Sequence, residues 1–136
     1  MVSIANRAEK QAVDALLADA DVLAIYGASK IFQGYVAPNT LTSTNEYVYL
    51  RRIDSVSIDR GCVDDTRTDR LRRVRLQVDV SDTNYTNMVA RSEIVRAALT
   101  SRFPDCIDGD TYGTATVGTK VFNVTSIDVI LTESEV

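Results

Sequence analysis

The chain has 136 residues, 45% hydrophobic and 25% charged, with a net charge of -4. That length and balance fit one globular domain able to bury a sizeable core without a disulfide or a metal. The acidic total argues against a dedicated nucleic-acid binder, and the absence of histidine removes the usual general base and the commonest metal ligand.

In chain order, Ser3 or Asn6 caps a first helix. Its stripe is Ala5, Ala8, Ala12, Leu16 and Leu23, with Val13 and Leu17 beside it. Asp19 or Asp21 caps a short second turn that ends at Gly27. Residues 31–36, IFQGYV, predict a first strand, and the Pro-, Asn-, Thr- and Ser-rich residues 37–45 a loop. Residues 46–53 predict a second strand, with Tyr47 and Tyr49 on one face and Val48 and Leu50 on the other. Apolar side chains on both phases imply cover on both sides. Residues 56–63 read as a short strand or part of an extended arm, and residues 64–69 as a polar loop.

Val74, Leu76, Val78 and Val80 then alternate with Arg73, Arg75, Gln77 and Asp79, the pattern of a strand with one buried face. Turn and cap residues at 81–84 lead into a helix. Its stripe is Tyr85, Met88, Ser92, Val95 and Leu99, and it stops at Phe103-Pro104 because a residue before proline disfavours helix. Strands over 111–117 and 120–131 are joined by Gly118-Thr119, a two-residue hairpin signal. The apolar phase of the last strand shifts between Val124 and Ile127, which predicts a bulge near Thr125-Ser126. The tail TESEV is expected to fray. The fold class that follows is α+β: a mainly antiparallel sheet packed on one face by two α-helices. Residues 1–136 are expected to form one domain, with an extended arm or loop at 54–70.

Little in the chain points to chemistry. Without histidine, a Ser-His-Asp or Cys-His device is impossible within one chain. No phosphate-binding glycine loop occurs, so no catalytic residue, cofactor site or metal site is assigned. Asp64, Asp65 and Asp69 lack the spacing of a calcium loop, and a solvated loop interleaved with Arg67 and Arg70 accounts for them. Cys62 and Cys106 have no metal-like spacing and are expected as free thiols in a reducing compartment. The opening MVSIANRAEKQAV lacks the apolar stretch of a secretory signal, and no apolar run approaches a membrane span.

Charge is segregated. Eight arginines and five aspartates fall within residues 51–75, a local +3, which leaves -7 for the rest of a chain whose total is -4. Arg70, Arg72, Arg73 and Arg75, with Arg51, Arg52 and Arg67, are candidates for contact with a subunit or partner, since arginine is enriched at protein interfaces. A solvated strand face is the alternative. Tyr47 and Tyr49 join the candidates as a possible stacking platform, although aromatics on a strand more often pack.

The layout resembles the small tail-completion and tail-terminator proteins of long-tailed bacteriophages. The resemblance runs over residues 7–131 through LLADADVLAIYG, KIFQGYV, EYVYLRRI, LRRVRLQVDVSDTN and MVARSEIVRAAL, and departs from the pattern at 54–70. It implies a virion protein at the junction of tail and head. Such proteins form a ring, commonly of six subunits, on the last ring of tail-tube protein. This stops tube growth and offers a surface to the head connector. It implies no enzymatic activity. The chain's residual negative charge, if it faces the lumen, is expected to let DNA pass through without specific binding. Another neck protein, a stopper or an adaptor, is the nearest rival. A small nucleic-acid-binding module built on residues 70–75 and the two tyrosines is the rival of a different class.

Overall fold

The computed structural model describes residues 7–57 and 70–135. Helices α1 (Ala8–Leu17) and α2 (Ala20–Tyr26) lead through a 3-10 turn to strand β1 (Ile31–Gln33). A short α3 (Pro38–Thr42), β2 (Glu46–Ser57), β3 (Arg70–Asp82), α4 (Tyr85–Arg102), β4 (Ile107–Val117) and β5 (Lys120–Glu135) follow. The five strands form one sheet in the order β1-β2-β3-β5-β4. Among the described residues, only the β1–β2 pair is parallel.

The alternating strand β3 sits in the middle of the sheet. Its Val74, Leu76, Val78 and Val80 form the main core with Val48, Leu50, Ile127, Val129 and Leu131 of its neighbours. Ala8, Ala12 and Leu16 of α1, Val22 and Tyr26 of α2, and Val95, Ala98 and Leu99 of α4 close over that face. Alanines let α1 approach closely, and burial of this apolar area is the main driving force for the fold. Three helices cover the face rather than the two expected. The Asp19 side chain caps α2, accepting from the Asp21 and Val22 amides at 3.0 and 3.1 Å. Leu23, placed by the helical stripe in the core, is exposed because the chain breaks at Asp19 and resets the phase. Asn84 caps α4 through the Asn87 amide at 3.0 Å. Tyr85, at the start of the predicted stripe, is exposed.

Other expectations need correction. Residues 37–45 are not all loop. Pro38 opens α3 at a position where its missing N–H costs nothing, and Leu41 anchors that helix on the opposite face of the sheet. There Leu41, Tyr47, Phe122 and Val124 form a second, smaller cluster. The first strand ends at Gln33, before Gly34 at φ +74° turns the chain.

The apolar shift in β5 is not a bulge. Its register with β3 runs unbroken from Arg70↔Glu135 to Asp82↔Asn123. Phe122 and Val124 face α3, whereas Ile127, Val129 and Leu131 face the three large helices. The cover changes sides, not the backbone. The bulges lie elsewhere, between Arg52 and Asp54 in β2 and between Ile107 and Gly109 in β4. The β4–β5 turn is the expected hairpin, with φ +62° at Gly118 and negative φ at Thr119, the type II′ pattern.

The tail does not fray at Glu133, which is buried within β5. Residues 54–57 and 70, expected in an arm, belong to β2 and β3. The remainder of the proposed arm, with the acidic group Asp64, Asp65 and Asp69, Arg67, Cys62 and the caps Ser3 and Asn6, lies outside the described residues.

Candidate functional site

The face of the sheet away from the three large helices is open over most of its width. Strand alternation brings Tyr49 and Arg51 of β2, Gln77 and Asp79 of β3, and Ser126 of β5 onto it. They line a trough of about 470 Å³. Asp79 is its centre. Its Oδ1 accepts from Gln77 Nε2 at 2.9 Å and from Ser126 Oγ at 2.6 Å. Its Oδ2 lies 3.4 Å from Arg51 Nη2. Gln77 Nε2 also donates to Ser126 Oγ at 2.9 Å. One step further along β3, Arg75 Nη2 donates to Asp128 Oδ2 at 2.8 Å. That hydrogen bond, then the Asp128 charge, raises the Arg75 pKa above its ordinary value. The Arg75 Nε is buried and has no acceptor among the described residues.

The candidate arginines do not form one patch. Arg51, Arg73 and Arg75 share the open face, while Arg52 and Arg72 fall on the helix side because neighbours along a strand point to opposite faces. Arg70 opens β3, and nothing further is described of its side chain; Arg67 lies outside the described residues. Arg52 is structural. Its guanidinium donates to Glu9 Oε1 from Nη2 at 2.6 Å and from Nε at 3.2 Å, and Nη2 also donates to Glu133 Oε2. Glu133 is 1% exposed, and the same oxygen accepts from the Ala8 amide at 2.9 Å. A carboxylate from the last strand therefore caps the first helix, where the Arg7 side chain at the N-cap does not. Burial pushes the Glu9 pKa up, but the Arg52 hydrogen bond, a backbone hydrogen bond and the charges of Arg52 and Arg7 together outweigh it and leave the group below its ordinary value. For Arg52, burial acts to lower the pKa, and its bonds to the two carboxylates raise it overall.

The two tyrosines sit differently on this face. Tyr47 is buried edge-to-face against Phe122, ring centres 5.0 Å apart, and against Phe32 at 6.1 Å. Burial raises its pKa. The Tyr49 hydroxyl donates to the Gly34 carbonyl and fastens the end of β1. The Tyr47 ring is thereby buried, whereas the half-buried Tyr49 ring lines the trough.

Sequence reasoning missed Asp79, Ser126, Asp128, Glu9 and Glu133. The polar phase of β3 marked Asp79 as outward-facing, but one of its partners, Ser126, comes from a strand 47 residues away. No signal in the tail distinguishes Glu133. Among the described residues, no group of three or more His, Cys, Asp and Glu side chains is arranged to hold a metal. No described helix is long and apolar enough to cross a membrane. The trough's charges are paired with one another, an arrangement suited to recognition of a surface.

Comparison with curated proteins gives no match. Comparison with family models matches residues 10–122 to the family described as tail completion protein gp17. The match runs from within α1 to the first residues of β5, so it includes β2, β3 and β4 and stops before Ser126. The chain belongs to this bacteriophage tail-completion family, which makes it a structural component of the phage tail in the virion.

Proposed function

We propose that the protein is a tail-terminator subunit that acts by contact and not by catalysis. Copies assemble head-to-tail into a ring of six that caps the tail-tube protein and joins it to the head connector. The observation that carries this reading is the open sheet face. It is a wide polar surface with Arg51, Arg73 and Arg75 on one side of the strands, and an Arg75 Nε with no acceptor among the described residues. Paired and exposed charges of this kind give orientation and partner choice more than raw affinity. A head-to-tail contact uses two different patches of one chain and closes into a ring when the rotation per step divides the circle. The negative balance outside residues 51–75, if turned to the lumen, lets DNA pass without adhering.

The test is the triple variant Arg51→Glu, Arg73→Glu and Arg75→Glu, expressed in place of the native protein during phage growth. Under this reading the protein still folds, tails accumulate apart from heads, and infectious particles fall at least 100-fold. A normal yield of joined virions would sink the assignment of this face.

A further inference from the structure

We infer that β4 of one copy pairs antiparallel with the outer edge of β2, over residues 51–57, of a second copy, so that the sheet continues across the subunit boundary. This rests on the ring reading and specifies its contact.

Two open edges carry the inference. The first is β4, eleven residues at the end of the sheet with no strand beyond it among the described residues. A two-residue hairpin makes Val117 and Lys120 a hydrogen-bonded pair, so alternation leaves the N–H and C=O groups of Tyr112, Thr114 and Thr116 pointing outward. An edge of this length is normally blunted by lysine, proline or a covering element. β4 contains neither residue. Instead, exposed apolar side chains border it: Tyr112 at 57% and Tyr85 at 55%, in edge-to-face contact with ring centres 5.4 Å apart. Val121 of β5 is 55% exposed on the same side. Open backbone groups beside exposed apolar side chains are what an added strand requires.

The second edge lies across the sheet. β1 pairs with β2 only at Val48, Tyr49 and Leu50. Beyond Leu50, the outer side of β2 has no partner strand among the described residues. A depression of about 370 Å³ opens there, lined by Gln33, Gly34, Arg51 and Arg52, and Ile53 at the bulge is 46% exposed.

The two edges differ, and this selects the occupant. Pairing β4 with β4 of another copy makes a closed dimer and leaves both β2 edges open. Pairing β4 with β2 uses both edges in every copy and repeats indefinitely, which is the heterologous contact a ring needs. Strand direction agrees. β2–β3, β3–β5 and β5–β4 are each antiparallel, so β4 runs opposite to β2. A copy placed to continue the sheet presents its β2 antiparallel to β4, the more stable pairing.

Two experiments test this. The first uses the full chain with both native cysteines replaced and new ones introduced by Thr116→Cys and Ser55→Cys, at exposed positions on the two edges. Assembled tails are treated with a flexible bis-maleimide, which tolerates an unknown register. A ladder beyond the dimer is expected from the double variant, and none from either single variant. Dimers from Thr116→Cys alone would mean β4–β4 pairing and overturn the inference. Intact rings in negative stain without a ladder would also overturn it, while leaving the ring reading standing. No rings at all would defeat the ring reading and this inference with it. The second is Thr114→Pro, which deletes an outward amide and no ladder bond. It is expected to keep its circular dichroism spectrum and melting transition yet lose ring formation. Rings of normal abundance from this folded variant would overturn the inference.

Discussion

The two faces of the sheet obey different rules although the same strands build both. On the helix side, Val74, Leu76, Val78 and Val80 repeat without interruption, and every one is fully buried. On the other side, the intervening Arg73, Arg75, Gln77 and Asp79 stay at least partly exposed, and the last three meet an acid, an amide and a hydroxyl on that face. Stability is concentrated on the first face, and the capacity for contact on the second. The exception is the end of the open face that α3 covers. There Phe122 is as buried as any residue of the main core.

Truncation on each face gives the widest separation. Leu76→Ala, at the middle of the central strand under three helices, should cost about 3–4 kcal/mol, because the surrounding core cannot collapse into the space. Phe122→Ala removes more atoms but should cost less, about 2–3 kcal/mol. Its lid is the five-residue α3, which can settle toward the gap. Urea unfolding with an unchanged m-value would measure both. A larger loss at Phe122 would mean that α3 is held as rigidly as the main helices. Lys120 is the side chain that could do this, since its Nζ donates to the Thr42 and Thr44 carbonyls at 3.1 and 2.8 Å.

What was legible in the chain follows the same division. β3, α4 with its Asn84 cap, the Asp19 cap and the Gly118 hairpin are written in local pattern, because each depends on residues a few positions apart. The covered face of the sheet was therefore readable. The open face was only half readable. Alternation identified which residues of β3 point outward, but not that Asp79 would be met by Ser126. Seven arginines looked like one patch because charge was summed along the chain, whereas a strand sends Arg51 and Arg52 to opposite sides. β5 misled for a related reason. Phase alone cannot distinguish a backbone defect from a change of cover, and α3, too short for a periodic signal, was the cover.

The next smaller effect concerns the charged knot on the helix side. Glu133→Gln should cost about 2 kcal/mol, less than the full cost of breaking a buried pair, because Arg52 keeps Glu9. The knot also sets an acid limb. Glu9 has a folded pKa below its ordinary 4.5. Its contribution to stability is complete above that ordinary value and is lost as pH falls through the lowered one. Carbon-13 titration of the Glu9 carboxylate should show a midpoint below 4.5 in the native protein, and a rise toward it in Arg52→Gln. An unmoved midpoint would mean that Arg52 is not what holds Glu9 ionised.

The smallest effect is expected from the matching change on the open face. Asp79→Asn removes a charge from the centre of the trough, as Glu133→Gln removes one from the knot. The Asn carbonyl still accepts from Gln77 and Ser126, so the hydrogen bonds survive. What is lost is the attraction to Arg51, which is 3.4 Å away and half exposed. Water screens such a pair, and its loss should cost at most about 0.5–1 kcal/mol. Assembly should respond differently. Without Asp79 the Arg51 guanidinium swings free, and the face gains a positive charge that its partner was not shaped to meet. Joining of tails to heads should drop by about tenfold while the urea midpoint scarcely moves. A loss of stability as large as that of Glu133→Gln, with joining intact, would make the trough part of the scaffold and erase the distinction between the two faces.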